Sequence, residues 1–367
     1  MAKGKKKPKK QKKIKRKLGC LFIILLLLVC GAAFLIYNNK EIGSYVEEKV
    51  PTVKTVIDIS VPVAEDITEK SIPVIKEYAV KAGNIAYKIY EKLDDASKNS
   101  EDDAESIDSS NLDELIICSF NIRIFSDGSR DNDELKTIVQ ILKLYDLIAI
   151  QELRDKQILK RTVKALKNMG YKYDYEISGK VGRGVKERYA FLYRKDKVEV
   201  IESGRLYTEN NDEFIREPYY ATFKSGNFDF TLVTVHVLFG DSKKDRRPEL
   251  LELANVFEYL QNKDDDEQDI ILLGDFNMPP SDKGWDKLKQ VSTMKHILKR
   301  PSKTTIQDSS LYDNFWFQKK YVKEYSSCGV YKFDEVLFDN DDKVASRTVS
   351  DHRPLWGKFV ITKEDDD

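Results

Sequence analysis

The chain has 367 residues, 41% of them hydrophobic, which is enough length and apolar content to bury a sizeable core and excludes a chain disordered throughout. Its formal net charge of zero is a cancellation. Residues 1–17 carry eleven Lys or Arg and no acid, leaving 51 basic against 62 acidic residues, a net of −11, for the remainder.

Residues 18–37, "LGCLFIILLLLVCGAAFLIY", are uncharged and about long enough to cross a hydrocarbon core of roughly 30 Å as a helix. The expectation is a single-pass transmembrane helix with its basic flank, 1–17, in the cytoplasm and everything after Tyr37 outside. A cleaved signal peptide is the alternative, but the apolar run exceeds the usual length of one. Cys20 and Cys30 fall within this run. Only Cys118 and Cys328 remain outside it, and both a single disulfide and two buried thiols are open to them.

Residues 50–93 repeat every eleven, as "VPTVKTVIDIS", "VPVAEDITEKS", "IPVIKEYAVKA" and "GNIAYKIYEKL". Eleven residues make three helical turns, so one apolar stripe stays nearly in line. Residues 38–93 are therefore expected to form an amphipathic stalk of short helices, each opening near a proline. Residues 94–114 hold nine acids and one lysine, the composition of a disordered linker.

From Leu115 the pattern changes to strands alternating with helices. Strands are expected at "ELIICSFN", "DLIAIQE", "YAFLYR", "KVEVIES", "YYATFK", "FDFTLVTVHV", "DIILLGDFN", "YKFDEVLFD" and "PLWGKFVI". Helices are expected at "NDELKTIVQILKLY", 156–169 and 245–262. So many strands with helices between them suggest two mixed sheets packed face to face, with helices outside, in one domain over 115–362. Residues 363–367 are an acidic tail.

Polar residues stand at the ends of several apolar runs: Asn121 after "IICSF", Glu152 after "LIAIQ", Asp275 and Asn277 after "IILLG". Each alone could be a turn former or cap. Together they are hard oxygen donors, suited to Mg2+, with Ca2+ or Mn2+ as alternatives, and unlike the sulfur sets that select softer ions. Of only three histidines, His236 sits within the apolar "TVHV" and His352 in "SDHRPLW". His296, amid lysines in "TMKHILKR", reads as a surface residue, and Trp285, Trp316 and Trp356 as core.

The segments "SFNIR", "QELRD", "KERYAFLYR", "FIREPYYATF", "TVHV", "GDFN", "LYDNF" and "SDHRPL", in this order, resemble the endonuclease/exonuclease/phosphatase superfamily and, within it, the deoxyribonuclease I branch. The resemblance covers residues 115–361. It implies a four-layered α/β sandwich, two mixed β-sheets flanked by helices, and a metal-dependent endonuclease acting on DNA with little sequence specificity. Carried over, it implies that Asn121, Glu152 and Asp351 hold the divalent metal, and that Asp275 and Asn277 orient the phosphate and its attacking water. His236 would be held by Glu187 and His352 by Asp313, with His352 the expected base and His236 the expected acid. Arg216 would contact a phosphate and Arg154 the minor groove. Where relatives often place a groove-stacking aromatic this chain has Val185, and the neighbouring Arg183 would substitute by charge. Thr304 and Thr305 lie where the family touches phosphate, although threonines before a strand are also common. An enzyme of the same superfamily acting on a phospholipid, sphingomyelin or a phosphoinositide, is the alternative, because a membrane anchor would bring lipid within reach.

Overall fold

The computed structural model describes residues 111–208, 213–263 and 267–363. The expected basic tail, transmembrane helix and repeat stalk, and most of the acidic linker, lie outside these residues. Among the described residues no helix is long and apolar enough to cross a membrane.

Two six-stranded sheets carry the fold. The first runs in the order β11 (Tyr325–Val330), β12 (Leu355–Val360), β1 (Glu114–Phe125), β2 (Leu147–Leu153), β4 (Arg188–Arg194), β3 (Tyr173–Ile177). The second runs β5 (Glu199–Leu206), β6 (Tyr219–Ser225), β7 (Phe228–His236), β8 (Ile270–Asp275), β10 (Asp313–Gln318), β9 (Met294–His296). Only β1 with β2 and β7 with β8 are parallel, and each pair needs a crossover helix. Helix α1 (Asn132–Leu142) connects the first pair and the long α3 (Lys243–Gln261) the second. Each begins at a cap: Asp131 and Ser242 form capping boxes with Glu134 and Asp245, satisfying amides that the first turn leaves unbonded.

Three apolar layers follow from the two-residue period of the strands. Leu115 and Ile117 of β1 face the other sheet, where they share a core with Phe191, Phe223, Phe230, Phe315 and Phe359. Ile116, Cys118 and Phe120, one residue out of phase, face α1 and α2 (Lys156–Asn168). On the far side Val233, Val235 and Leu272 pack on Leu253 and Phe257 of α3, with Trp285 stacked on Trp316 at 4.5 Å. Helices, sheet, sheet and helices make the four layers that the sequence implies.

The differences are local. "YKFDEVLFD" is helix α5 (Phe333–Phe338), not a strand, α4 being the short turn Asp286–Lys289. Its apolar residues, Phe333, Val336 and Leu337, are spaced by three and four. Phe333 packs on Phe120, while buried Asp334 accepts from Arg353 at 2.8 and 2.6 Å. Helix α6 (Asp342–Thr348) follows. Strand β10 is buried on both faces and so shows no alternation; β3, β9 and β11, also unanticipated, are short or lie at sheet edges. Cys118 and Cys328 are both free thiols. The first faces the helices and the second the intersheet core, on opposite sides of one sheet, which rules out a bond between them. His296 is half-buried in β9 against Trp316, not on the surface.

Candidate active site

Towards one end of the sandwich, the inward face of each strand changes from apolar to polar while keeping its period. Ile117 is followed on that face by Ser119 and Asn121, Leu232 by Thr234 and His236, and Leu273 by Asp275. Running the other way, Phe315 leads back to Asp313, and Tyr189 to Glu187. Gln151 fills the floor, donating to Ser119 and, at 2.8 Å, to Thr234 of the opposite sheet. Above that floor the strand register brings side chains together: His236 pairs with Asp275, and Asp275 with Asp313. Gly274 lets β7 and β8 approach there, since at φ 146° any Cβ would run into the Val235 backbone.

Two histidine–carboxylate pairs result. His236 Nδ1 lies 2.9 Å from Glu187 Oε1, and His352 Nδ1 lies 2.8 Å from Asp313 Oδ2. Both Nε2 atoms point at one oxygen, Asp275 Oδ2, at 3.6 Å from His236 and 3.5 Å from His352. Asn121 donates to that oxygen at 3.0 Å, and the Asn277 amide donates to Asp275 Oδ1 at 2.9 Å. All of these residues are buried.

The surroundings give the two histidines different charges. Burial disfavours the charged form of His236, and Arg216 and His352 add to this against the pull of Asp275 and Glu152, so its pKa falls to about 4. Burial acts the same way on His352, but Asp313 and Asp275, by charge and by hydrogen bonding, more than offset it, so that its pKa stands well above the ordinary value. Burial also works to raise Asp275, yet both histidines and the bonds from Asn277 and Asn121 hold it lower. Asp313, dominated by its burial, is raised.

Two of the polar residues and one neighbour have strained backbones. Glu152 and Asn277 adopt φ of 59° and 51°, and Ile124, whose amide donates to Glu152 Oε2 at 2.9 Å, has φ 47°. Such conformations cost of order 1–3 kcal/mol each and persist where surroundings enforce them, commonly at sites of function.

Among the described residues, Asp275, Asp313 and His352 place metal-capable atoms within 4.8 Å of one another. His352 already engages both carboxylates, and in its charged form it has no lone pair to offer, so the trio suits a cation poorly. Asn121 fits a cation better. With its amide nitrogen on Asp275, its Oδ1 is buried without a hydrogen-bond partner, which would ordinarily cost about 1–3 kcal/mol. Glu152, at the end of the neighbouring parallel strand, is half-buried and supplies a carboxylate.

Comparison with known proteins agrees with this architecture. Residues 118–284 match the Endonuclease/Exonuclease/phosphatase family. The chain is 30% identical over 263 residues to a protein named deoxyribonuclease from Thioalkalivibrio sp. (strain K90mix), covering 68% of this chain and 72% of that one. It is 31% identical over 265 residues to deoxyribonuclease-1 of Gallus gallus, covering 66% of this chain and 90% of that one. The chain belongs to the endonuclease/exonuclease/phosphatase family. Within the family it falls in the deoxyribonuclease I-like branch. A solved structure of a family protein from Bacteroides thetaiotaomicron, at 17% identity, superposes with a TM-score of 0.50 over 69% of this chain and 98% of that one, and shares its fold.

The cluster brings together most of the residues named from sequence. Asn121, Glu187, His236, Asp275, Asn277, Asp313 and His352 form one connected cluster. Arg216 pairs with Glu187 and donates to the His236 carbonyl at 3.2 Å, and Arg154 reaches both Glu152 at 3.4 Å and Glu187 at 3.8 Å. Asp351 is exposed, its carbonyl accepting from Ile306, beside Ser350, whose hydroxyl donates to the Asn121 carbonyl. Arg183 and Val185 stand exposed on the loop closed by the Val181–Glu187 bridge.

Tyr189 and Glu249 support the site and were not singled out from sequence, whereas Thr304 was expected at a phosphate and instead holds backbone. The Tyr189 hydroxyl accepts from the His236 amide at 3.0 Å. Thr304, fully buried, accepts from the Tyr312 and Asp313 amides at 3.0 and 3.1 Å, which fixes where β10 starts. Glu249 of α3 accepts from Ile215 at 3.0 Å and from Leu238 at 3.0 Å, tying the loop of Arg216 to the loop after His236. Tyr189 was within reach, as it lies beside Glu187 in "KERY". Glu249 was not, because a glutamate on a helix carries no local mark of the two loops it joins.

Proposed function

We propose that this chain is a membrane-anchored endonuclease that hydrolyses phosphodiester bonds of DNA outside the cytoplasm, with a divalent metal ion and little sequence specificity. The observation that carries the reading is the convergence of His236 Nε2 and His352 Nε2 on Asp275 Oδ2, each ring held from behind by its own carboxylate. Two imidazoles facing one point, one neutral and one charged, are what an in-line displacement at phosphorus needs: one removes a proton from the attacking water and the other gives one to the departing oxygen. The names of the relatives, all deoxyribonucleases, favour DNA as the substrate.

The charge states favour the opposite division of roles from the one expected from sequence. His236, with Nδ1–H donated to Glu187, keeps Nε2 free to take the proton of water. His352, doubly protonated between Asp313 and Asp275, gives its Nε2 proton to the leaving sugar oxygen. Asp275, held by Asn121 and Asn277, keeps both rings facing the phosphate, and Arg216 offers charge to a non-bridging oxygen. Asn121 and Glu152, with Asp351 nearby, would hold the cation, Mg2+ or else Ca2+ or Mn2+. When bound, it offsets the negative charge that builds on the phosphorus oxygens. Exposed Arg183 and half-buried Arg154 would lie along the backbone and minor groove, where shape is read more than sequence.

The test is conversion of supercoiled plasmid by the full chain with Mg2+ or Ca2+, against chelator and against His236→Ala. Nicked and linear products that vanish with chelator and with the variant are expected. Intact plasmid together with phosphate or choline phosphate released from lipid vesicles would instead support a lipid phosphodiesterase.

A further inference from the structure

The loop that leaves His236 carries an exposed aromatic with no evident task in the fold. Phe239 is 56% exposed, yet its backbone and one ring face are held in place. Two residues before it, Val237 donates to the Asp275 carbonyl at 2.9 Å and accepts from Asn277 Nδ2 at 2.8 Å. One residue before it, the Leu238 amide is held by Glu249. The Phe239 carbonyl accepts from the buried Arg246, whose Nη1 also donates to the Asn277 carbonyl at 2.6 Å. The Arg246 guanidinium lies over the Phe239 ring, 4.1 Å from its centroid, and Tyr312, the neighbour of Asp313, meets the ring edge-on at 6.5 Å.

An exposed phenylalanine that served only packing would not need a buried guanidinium against one face and four hydrogen bonds at its root. The arrangement leaves much of the ring exposed beside Tyr312, on a loop whose backbone is tied to Asn277. A flat apolar surface at that place, rigid before substrate arrives, suits the π-face of a base and loses little entropy on contact.

We propose that Phe239 is a stacking platform for the nucleobase flanking the scissile phosphate on the side of Asn277, with Arg246 as the residue that positions it. The proposal rests on the nuclease reading and adds a specificity-determining contact to it. Stacking of this kind is tolerant of sequence, because every base has a π-face, and it favours a base that can leave its own stack. Cleavage near unpaired, mismatched or strand-end bases is then preferred over cleavage within a stiff duplex.

The test uses the full chain and oligonucleotides with one labelled scissile phosphate, either intact or with an abasic residue at one flanking position at a time. Phe239→Leu keeps apolar bulk without a ring, and Phe239→Trp restores a ring. The leucine variant is expected to lose about tenfold in kcat/KM on the intact strand, and the tryptophan variant to recover it. An abasic residue at one particular flanking position is expected to lower wild-type cleavage by a similar factor and to erase the difference between wild type and the leucine variant. Equal rates for wild type and Phe239→Leu on the intact strand, or a loss that persists on every abasic strand, would overturn the platform while leaving the nuclease reading intact. Failure of the wild type to cut any strand would remove the nuclease reading and the platform with it.

Discussion

The two histidine pairs are alike in geometry and unlike in charge. Each imidazole is buried, each is bonded through Nδ1 to a carboxylate at nearly the same distance, and each faces Asp275. His236, however, shares its carboxylate with Arg216, whereas His352 lies among Asp313, Asp275 and Asp351. The contrast teaches that a histidine–carboxylate bond does not itself set the protonation state of a ring. The second neighbours do, and here they favour a neutral ring at His236 and a charged one at His352.

Removing either ring tests the contrast most severely. His236→Ala and His352→Ala should each lower kcat by about 10²- to 10⁴-fold. Because the two act on a single displacement, the double variant should be little worse than either single one, measured as plasmid nicking at saturating substrate.

Asp313→Asn comes next and should act on one pair only. Neutral His236 must accept a proton, so activity is lost as pH falls through about 4; charged His352 must donate one, so activity is lost as pH rises through its elevated pKa. Removing the Asp313 charge lowers His352, and the alkaline limb of the kcat/KM profile should move to lower pH by about one unit or more, with the acid limb in place. A shift of the acid limb instead would exchange the roles of the two rings.

Arg216→Met should sharpen the opposite side. Arg216 depresses His236, so its loss should raise the acid limb towards the ordinary histidine value, while kcat/KM falls about tenfold as one phosphate contact disappears. The smallest expected effect is that of Thr304→Val. It strips two amides of their acceptor, costs about 1–3 kcal/mol in thermal unfolding, and disturbs the Asp313 pair while leaving the Glu187 pair unchanged.

Much of the site was legible because strands keep a period of two. In "TLVTVH" the inward residues are Leu232, Thr234 and His236, and in "IILLGD" they are Ile271, Leu273 and Asp275, so polar residues could be placed at the ends of buried rows. Pairing Glu187 with His236 and Asp313 with His352 came from the family resemblance, since no local pattern joins residues 39 or 49 positions apart. The pattern failed where tertiary contacts outweighed it. Strand β10 is apolar on both faces and bounded by polar residues, while the helical spacing of Phe333, Val336 and Leu337 in α5 is too short a run to stand out beside the buried Asp334 that accepts from Arg353. The charge of each ring could not be read from sequence at all, because it depends on distances between groups on separate strands and loops.

With only three histidines in the chain, the imidazole nitrogens can be observed directly. Nitrogen-15 NMR of histidine-labelled full chain in chelator, assigned with His236→Gln and His352→Gln, reports the charge of each ring as pH varies. The prediction is a His352 imidazolium at pH 7 beside a neutral His236 that carries its proton on Nδ1 and titrates only near pH 4. A charged His236 beside a neutral His352 at pH 6 would contradict the division of labour between the two pairs.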